Sequence, residues 1–338
     1  HAAGLLRGSF RPQKEILPLR YLLRHRGDLL AQAGQQVQLM QKVLTEMNLH
    51  IHHVFSDVDG ASAQAIITAI LAGQRDAGKL AALRDRRARA PLDKIKAALH
   101  GDYREEYLFV LRQVQARWQQ LGDAIVECDA EIARRTAALA GVTDAPLPAA
   151  PPAQRRVQKN MTTAMPVYAE AHRLLGVDLS AVPGVSGGVL CVLLSELGTA
   201  THIREKFRSA EAFASWLGLC PDNRISGGRI LKAGTRKVTN RIANILRMAA
   251  NALSRAHGPM GEYVRRYKGR LGKAEGIVAG AHKLARIIWA LIVSGKRNWR
   301  YEGVAHSYLA CDGPYSDGQL PGLAVDDHSS TGPDKLAR

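Results

Sequence analysis

Residues Lys14 to Asn48 read KEILPLRYLLRHRGDLLAQAGQQVQLMQKVLTEMN. Apolar side chains recur at Leu19, Leu22, Leu30, Ala33, Val37, Met40, Leu44 and Met47, with the three-and-four spacing of one stripe on a helix. Arg26 interrupts that stripe, and Pro18 fits a helix only if it falls in the first turn. A second stretch, Asp102 to Leu139, repeats the pattern at Leu111, Val114, Trp118, Leu121, Ile125, Cys128, Ile132 and Leu139. Two seams of similar length and period predict paired helices, either within one chain or between two. The expected fold class is therefore mostly all-α: long antiparallel coiled-coil helices plus a C-terminal helical domain. Trp118 and Cys128 read as core packing.

Between the seams lies HIHHVFSDVDGASA. His50, His52 and His53 are expected as solvated loop histidines, and no metal is assigned, because no cysteine or fixed-spacing partner accompanies them. Asp57, Asp59 and Gly60 read as a turn without the ligand ladder of a calcium loop. Three short helices follow at 61–72, 76–84 and 91–100, with Asp76 as an N-cap and Pro91 in a first turn. The basic run Arg84 to Ala90 reads as a solvated loop, with nucleic-acid contact as the second reading.

Outside the seams, residues 1–13 are expected as the remnant of an upstream module and 14–142 as a coiled-coil region with an inserted short-helix module. The Pro/Ala-rich stretch TDAPLPAAPPA marks a semi-stiff linker at 143–156. A helical domain spans 157–300 and opens with a helix from Val157 to Leu175. The tail, 301–338, is acidic and expected to be disordered. Within the helical domain, LSAVPGVSGGVLCVLLSELG (Leu179 to Gly198) resembles a helix-hairpin-helix element. Gly184, Gly187 and Gly188 would leave backbone N–H groups at a helix N-terminus for a phosphate, or would simply close a tight turn.

The chain carries a net charge of +17. From Leu219 to Arg300 there are 18 Lys+Arg against 3 Asp+Glu, a net of +15, whereas residues 301–338 carry −4. That distribution places a polyanion site in 219–300. The four cysteines form no CxxC pair and no disulfide framework, which fits a reduced, cytoplasmic compartment. No run reaches the roughly 18 apolar residues that read as a bilayer span, so no membrane partner is expected. The first residue is His1, so the chain is expected to start inside a longer reading frame.

The basic region centres on LCPDNRISGGRILKAGTRKVTNRIANILRM, Leu219 to Met248. Ser226 sits before two glycines and among Arg224, Arg229, Lys232, Arg236, Lys237 and Arg241. A nucleophile on such a turn stands clear of the fold, and cations on both sides would hold a phosphodiester and neutralise transition-state charge. That reading makes the chain a DNA strand-transferase with Ser226 as the catalytic residue. The plainer reading is a turn serine, since Ser and Gly are common in turns. An amphipathic helix follows from Lys237 to Ala256. The segment YVRRYKGRLGK (Tyr263 to Lys273) interleaves aromatics with cations, and a last apolar helix, Gly280 to Ser294, carries His282, Lys283 and Arg286. Lys283 joins the candidate nucleic-acid contacts.

The ordered set PGVSGGVLCVLLSELG, AFASWLGLCPDNRISGGRILKAGTRKVTNRIANILRMAA and AHKLARIIW resembles the C-terminal domain of DEDD-type transposases of insertion-sequence family one hundred and ten. Upstream, GLLRGSFRP, LRYLLRHRGDLL, AILAGQRDAGKLAALRD and YREEYLFVLRQ resemble that family's linking and coiled-coil region. The resemblance implies a site-specific recombinase that assembles as a homo-oligomer, uses a structured guide RNA to choose DNA, and attacks the scissile phosphate with the serine matching Ser226. It also implies an RNase H-like domain whose four acids hold Mg²⁺. Residues 1–13 cannot supply those acids, so this chain is expected to bind nucleic acid, to hold no Mg²⁺ itself and to cleave little alone. Two other readings are a non-catalytic architectural DNA-binding protein and a helical scaffold, the latter leaving the basic region unexplained.

Overall fold

A helix tolerates proline where its missing N–H costs no hydrogen bond, and Pro18 is the second residue of α1 (Leu17–Glu46). The computed structural model describes residues 10–150, 155, 164–227, 229–232, 234–236 and 238–294, with backbone alone at 224, 225, 229, 230 and 232. The expected remnant at 1–9, part of the linker, the first residues of the helix expected from Val157, and the tail from 301 lie outside those residues. Among the described residues the fold is helical apart from one short β-hairpin. The chain divides into two units, Tyr21–Arg134 and a second formed by the residues on either side of it.

In the unit Tyr21–Arg134, α1 and α6 (Glu105–Ala137) run antiparallel and pair within one chain. Arg26 of α1 pairs with Asp129 of α6, and Cys128 Sγ lies 3.7 Å from the Leu22 carbonyl oxygen. Further along, Gln64 donates toward Met40 Sδ at 3.7 Å and accepts from Gln115 at 3.3 Å. The interruption at Arg26 is thus a paired charge: Arg26 is 8% and Asp129 6% exposed. A buried guanidinium persists where a carboxylate meets it.

The inserted module closes the open end of this pair. It contains α2 (Ile51–Val54), α3 (Ala61–Leu71), α4 (Ala77–Ala82) and α5 (Leu92–Ala97). Met40, Leu44 and Met47 of α1 and its end, Ile66, Ile67 and Ile70 of α3, and Leu80, Ile95 and Leu111 form one buried cluster, with Trp118 packed at its edge. The Asp76 carboxylate accepts from the Lys79 N–H at 2.8 Å, as an N-cap does. Pro91 precedes its helix as the cap residue instead of entering the first turn. The expectation of a loop at 50–53 is corrected: Ile51 is fully buried and draws the segment into a turn of helix against the core.

The second unit is built on α7 (Val167–Leu175), α8 (Gly187–Leu197), α9 (Ala200–Lys206), α10 (Ala210–Trp216), α11 (Arg241–Leu253), α12 (Pro259–Leu271) and α13 (Lys273–Ser294). Described helix begins at Val167, just after Pro166, later than the expected start at Val157, because proline disfavours helical backbone in the residue before it. Arg173 of α7 donates to the Leu139 and Thr136 carbonyl oxygens at 2.6 and 2.7 Å, capping the end of the preceding long helix. Phe10 packs against His202, Phe207 and Trp216.

Helix α13 begins about two turns earlier than the sequence indicates. By length and mean hydropathy it could cross a membrane, although Lys283 and Arg286 interrupt its apolar run. Its apolar positions are instead covered by neighbouring helices: Ala281, Leu284, Ile287, Ile288 and Leu291 are fully buried. Gly280 lets α13 pass close to both α12 and α11, since a Cβ there would stand 2.8 Å from Val264 Cγ2 and 3.0 Å from Ala250 Cβ.

Candidate functional site

Between α10 and α11 the chain forms an antiparallel hairpin, β1 (Arg224–Ser226) and β2 (Arg229–Lys232). Neither strand was legible in the sequence, because the segment is too polar and too short to alternate. Ser226 pairs directly with Arg229, a register that leaves a two-residue turn entered at Gly227. Such turns require backbone with φ > 0, which glycine supplies without steric cost, and Gly227 has φ +55° with open space around it. The Ser226 side chain is exposed. A register shift between Arg224 and Ile225 leaves Leu231 unopposed on β2, 70% exposed. Bulges of this kind bend and twist the strand that carries them.

The hairpin stem is fixed by backbone. Asp222 N–H donates to the Gly234 carbonyl at 2.7 Å, and Gly234 N–H donates to Asn223 Oδ1 at 3.3 Å. Asn223, not Asp222, therefore supplies the side-chain contact of this turn. Arg236 donates to both the Ser215 carbonyl and, at 3.1 Å, the Ser215 hydroxyl, tying the stem to the end of α10. Cys220, the other nucleophilic side chain nearby, has its thiol pKa raised by burial, which keeps it in the weakly nucleophilic protonated form.

The candidate cations fall into different surroundings. Arg224, Arg229 and Lys232 are held in the strand register just described, and Lys237 lies outside the described residues. Arg241 is exposed at the first position of α11, beside the positive end of the helix dipole. A cation there is opposed by the dipole and favoured by an anion. Asn240 caps this end, its Oδ1 accepting from Ile242 and Ala243 N–H at 2.9 and 3.2 Å. Lys283 is 4% exposed, with its ammonium 5.7 Å from the Tyr263 ring centroid, so it faces the interior packing. In Tyr263 to Lys273, Arg265 donates to the Ala256 carbonyl at 2.7 Å and Lys268 to the Ser254 hydroxyl at 3.2 Å. These cations hold the C-terminal end of α11.

The glycines of the hairpin-like turn do structural work. Gly184 has φ +87°, and a Cβ there would lie 2.9 Å from Leu253 Cδ1 of α11. Gly187 N–H, at the start of α8, donates to the Tyr168 hydroxyl at 3.2 Å. Gly188 follows it in the first turn of α8. The turn between α7 and α8 thus serves packing at Gly184 and satisfies one orphan donor internally.

Behind α10, Glu211 and Arg286 form an ion pair of 2.9 Å. Next to them His282 is 3% exposed, and its pKa is pushed down to about 4 by burial and by the Arg286 and Lys283 charges. The sequence places His282 and Arg286 on one helix but does not show that Glu211 meets them.

Asp222 is the one carboxylate between Leu219 and Asn240, and Mg²⁺ prefers an octahedral set of oxygens. In the other unit, one ring nitrogen from each of His50, His52 and His53 lies within 4.8 Å of the others.

The second unit thus carries the Ser226 hydroxyl at the tip of a short hairpin between α10 and α11. Residues 178–265, which contain α8 to α11 and the hairpin, match the family model described as transposase IS116/IS110/IS902 family. The match supports an insertion-sequence transposase, a class of DNA recombinase. A search of curated proteins finds no match.

Proposed function

We propose that this chain acts in insertion-sequence transposition, with the Ser226 hydroxyl as the nucleophile toward a DNA phosphodiester. The observation that carries the reading is the exposed Ser226, paired with Arg229 at a turn entered through Gly227, inside the segment that matches transposases. In the proposed step the Ser226 Oγ–P bond forms as the bond from phosphorus to the leaving sugar oxygen breaks. The hydroxyl proton passes to a base, and the leaving oxygen takes a proton from water. Arg224, Arg229, Lys232 and Arg241 offset the charge that builds on the phosphoryl oxygens.

A serine hydroxyl attacks poorly without an activating group, and a single carboxylate among cations does not provide a metal site. The activating acids are therefore assigned to a separate domain or chain, and nicking by this chain alone is expected to be weak. DNA, a structured guide RNA and further copies of the chain are its proposed partners, in the cytoplasm. The proposed domains are a coiled-coil region at 14–142 and a DNA-acting domain at 157–300.

The test is a covalent-adduct assay on labelled element-end duplex with Mg²⁺. Wild type should give a slow protein–DNA adduct, and Ser226→Ala should abolish it while duplex binding persists. Binding without adduct in both proteins would favour the architectural reading, which the absence of a base bonded to Ser226 among the described residues also favours.

A further inference from the structure

We propose that His50, His52 and His53 form a three-imidazole site for a divalent transition-metal ion of the zinc class. The site lies in the unit Tyr21–Arg134 and does not depend on the hairpin reading. Its residues surround the short helix α2, which Ile51 anchors in the core with no exposure. The His50 backbone N–H donates to the Ala98 carbonyl at 3.0 Å, fixing the start of the segment to α5. One ring nitrogen from each histidine lies within 4.8 Å of the others. The rings are in mutual contact, with centroids 4.2 Å apart for His52 and His53, 5.1 Å for His50 and His53, and 6.0 Å for His50 and His52.

Two observations point to a ligand and not to simple packing. The Nδ1 atoms of His50 and His52 are buried and have no hydrogen-bond partner. Buried polar atoms are rarely left so, and a bound ion is one of the few explanations. Second, His50 Nε2 lies 3.0 Å from Asn48 Oδ1. An amide oxygen only accepts, so Nε2 carries the proton and Nδ1 presents its lone pair. Metal-binding histidines ordinarily donate their other ring N–H to an oxygen that fixes the tautomer in this way. Asn48 holds this position with φ +58°, a conformation that asparagine tolerates better than most residues.

The donor set selects the ion. Imidazoles without an oxygen or thiolate suit zinc, copper or nickel and not magnesium or calcium. Three neutral nitrogens leave a fourth position for water. Zinc–nitrogen bonds of about 2.0–2.1 Å place tetrahedral ligands about 3.4 Å apart, so the rings must close inward, and the exposed His53 is the one able to turn.

The test is calorimetric titration of metal-free, untagged full-length chain with Zn²⁺, with Co²⁺ absorption as a second probe. The expected result is one saturable site with the Co²⁺ band of nitrogen ligation. His53→Gln, at an exposed position, should weaken binding by at least about tenfold, as losing a ligand outweighs the loss of an outer-shell partner. Asn48→Gly, which keeps the positive φ, should weaken it about 10- to 100-fold. Circular dichroism should show both variants folded. Equal Zn²⁺ affinity in wild type and His53→Gln, or no saturable binding to wild type, overturns the site.

Discussion

Arg26 and Asp129 meet inside the α1–α6 pair, the guanidinium bonding one carboxylate oxygen through Nε and the other through Nη2 at 3.1 Å. Each is under 10% exposed. A fork-to-fork contact of this kind fixes register as well as charge, because sliding either helix by a turn would strand both ions among apolar side chains.

Removing one partner leaves the other buried and uncompensated. Asp129→Ala is expected to lower stability by about 3–5 kcal/mol, whereas Arg26→Leu with Asp129→Leu should cost far less or stabilise. Denaturant unfolding of wild type, the single variant and the double variant checks this. Equal losses in the single and double variants would mean that the ion pair is not what the helices depend on.

His282 makes the second unit sensitive to acid. Its folded pKa of about 4 lies below the ordinary value of 6.5, through burial and the charges of Arg286 and Lys283, with Glu211 opposing. Between those values the unfolded chain binds the proton and the folded chain does not. Stability is therefore full above about pH 6.5 and falls as pH drops toward 4, by about 3 kcal/mol at the bottom of the window. Urea unfolding followed by tryptophan fluorescence across that range measures it, and His282→Gln should flatten this limb of the profile.

The basic residues should separate into two kinds. Arg241 is exposed at the head of α11, and Arg241→Gln should weaken duplex binding uniformly across sequences and reduce the slope of log K against log salt by about 0.9. Arg236 ties the hairpin stem to Ser215, so Arg236→Gln should also loosen the segment Pro221 to Thr235, read as faster amide exchange there. An Arg241→Gln variant whose salt slope matches wild type would remove Arg241 from the interface.

Much of the helical fold was legible because its periods are long. Eight apolar positions per seam, mostly three or four residues apart, admit few structures other than paired helices, and a cap such as Asp76 announces itself locally. The candidate site was legible as composition: a serine, two glycines and a cluster of cations. Its hairpin was not, since three- and four-residue strands leave no periodic trace. Nor was α9, whose seven residues carry too little pattern to register.

Sequence by itself determined the helical class, the two seams, the basic segment and the resemblance to transposases, because each is written in neighbouring residues. Tertiary structure alone decided that the seams pair within one chain, that Arg26 answers Asp129, that Lys283 turns inward over Tyr263, and that three histidines crowd one another around α2. Those outcomes depend on residues far apart in the chain, or on how a turn is pressed against a core, and periodicity carries no record of which distant side chain a buried polar atom will meet.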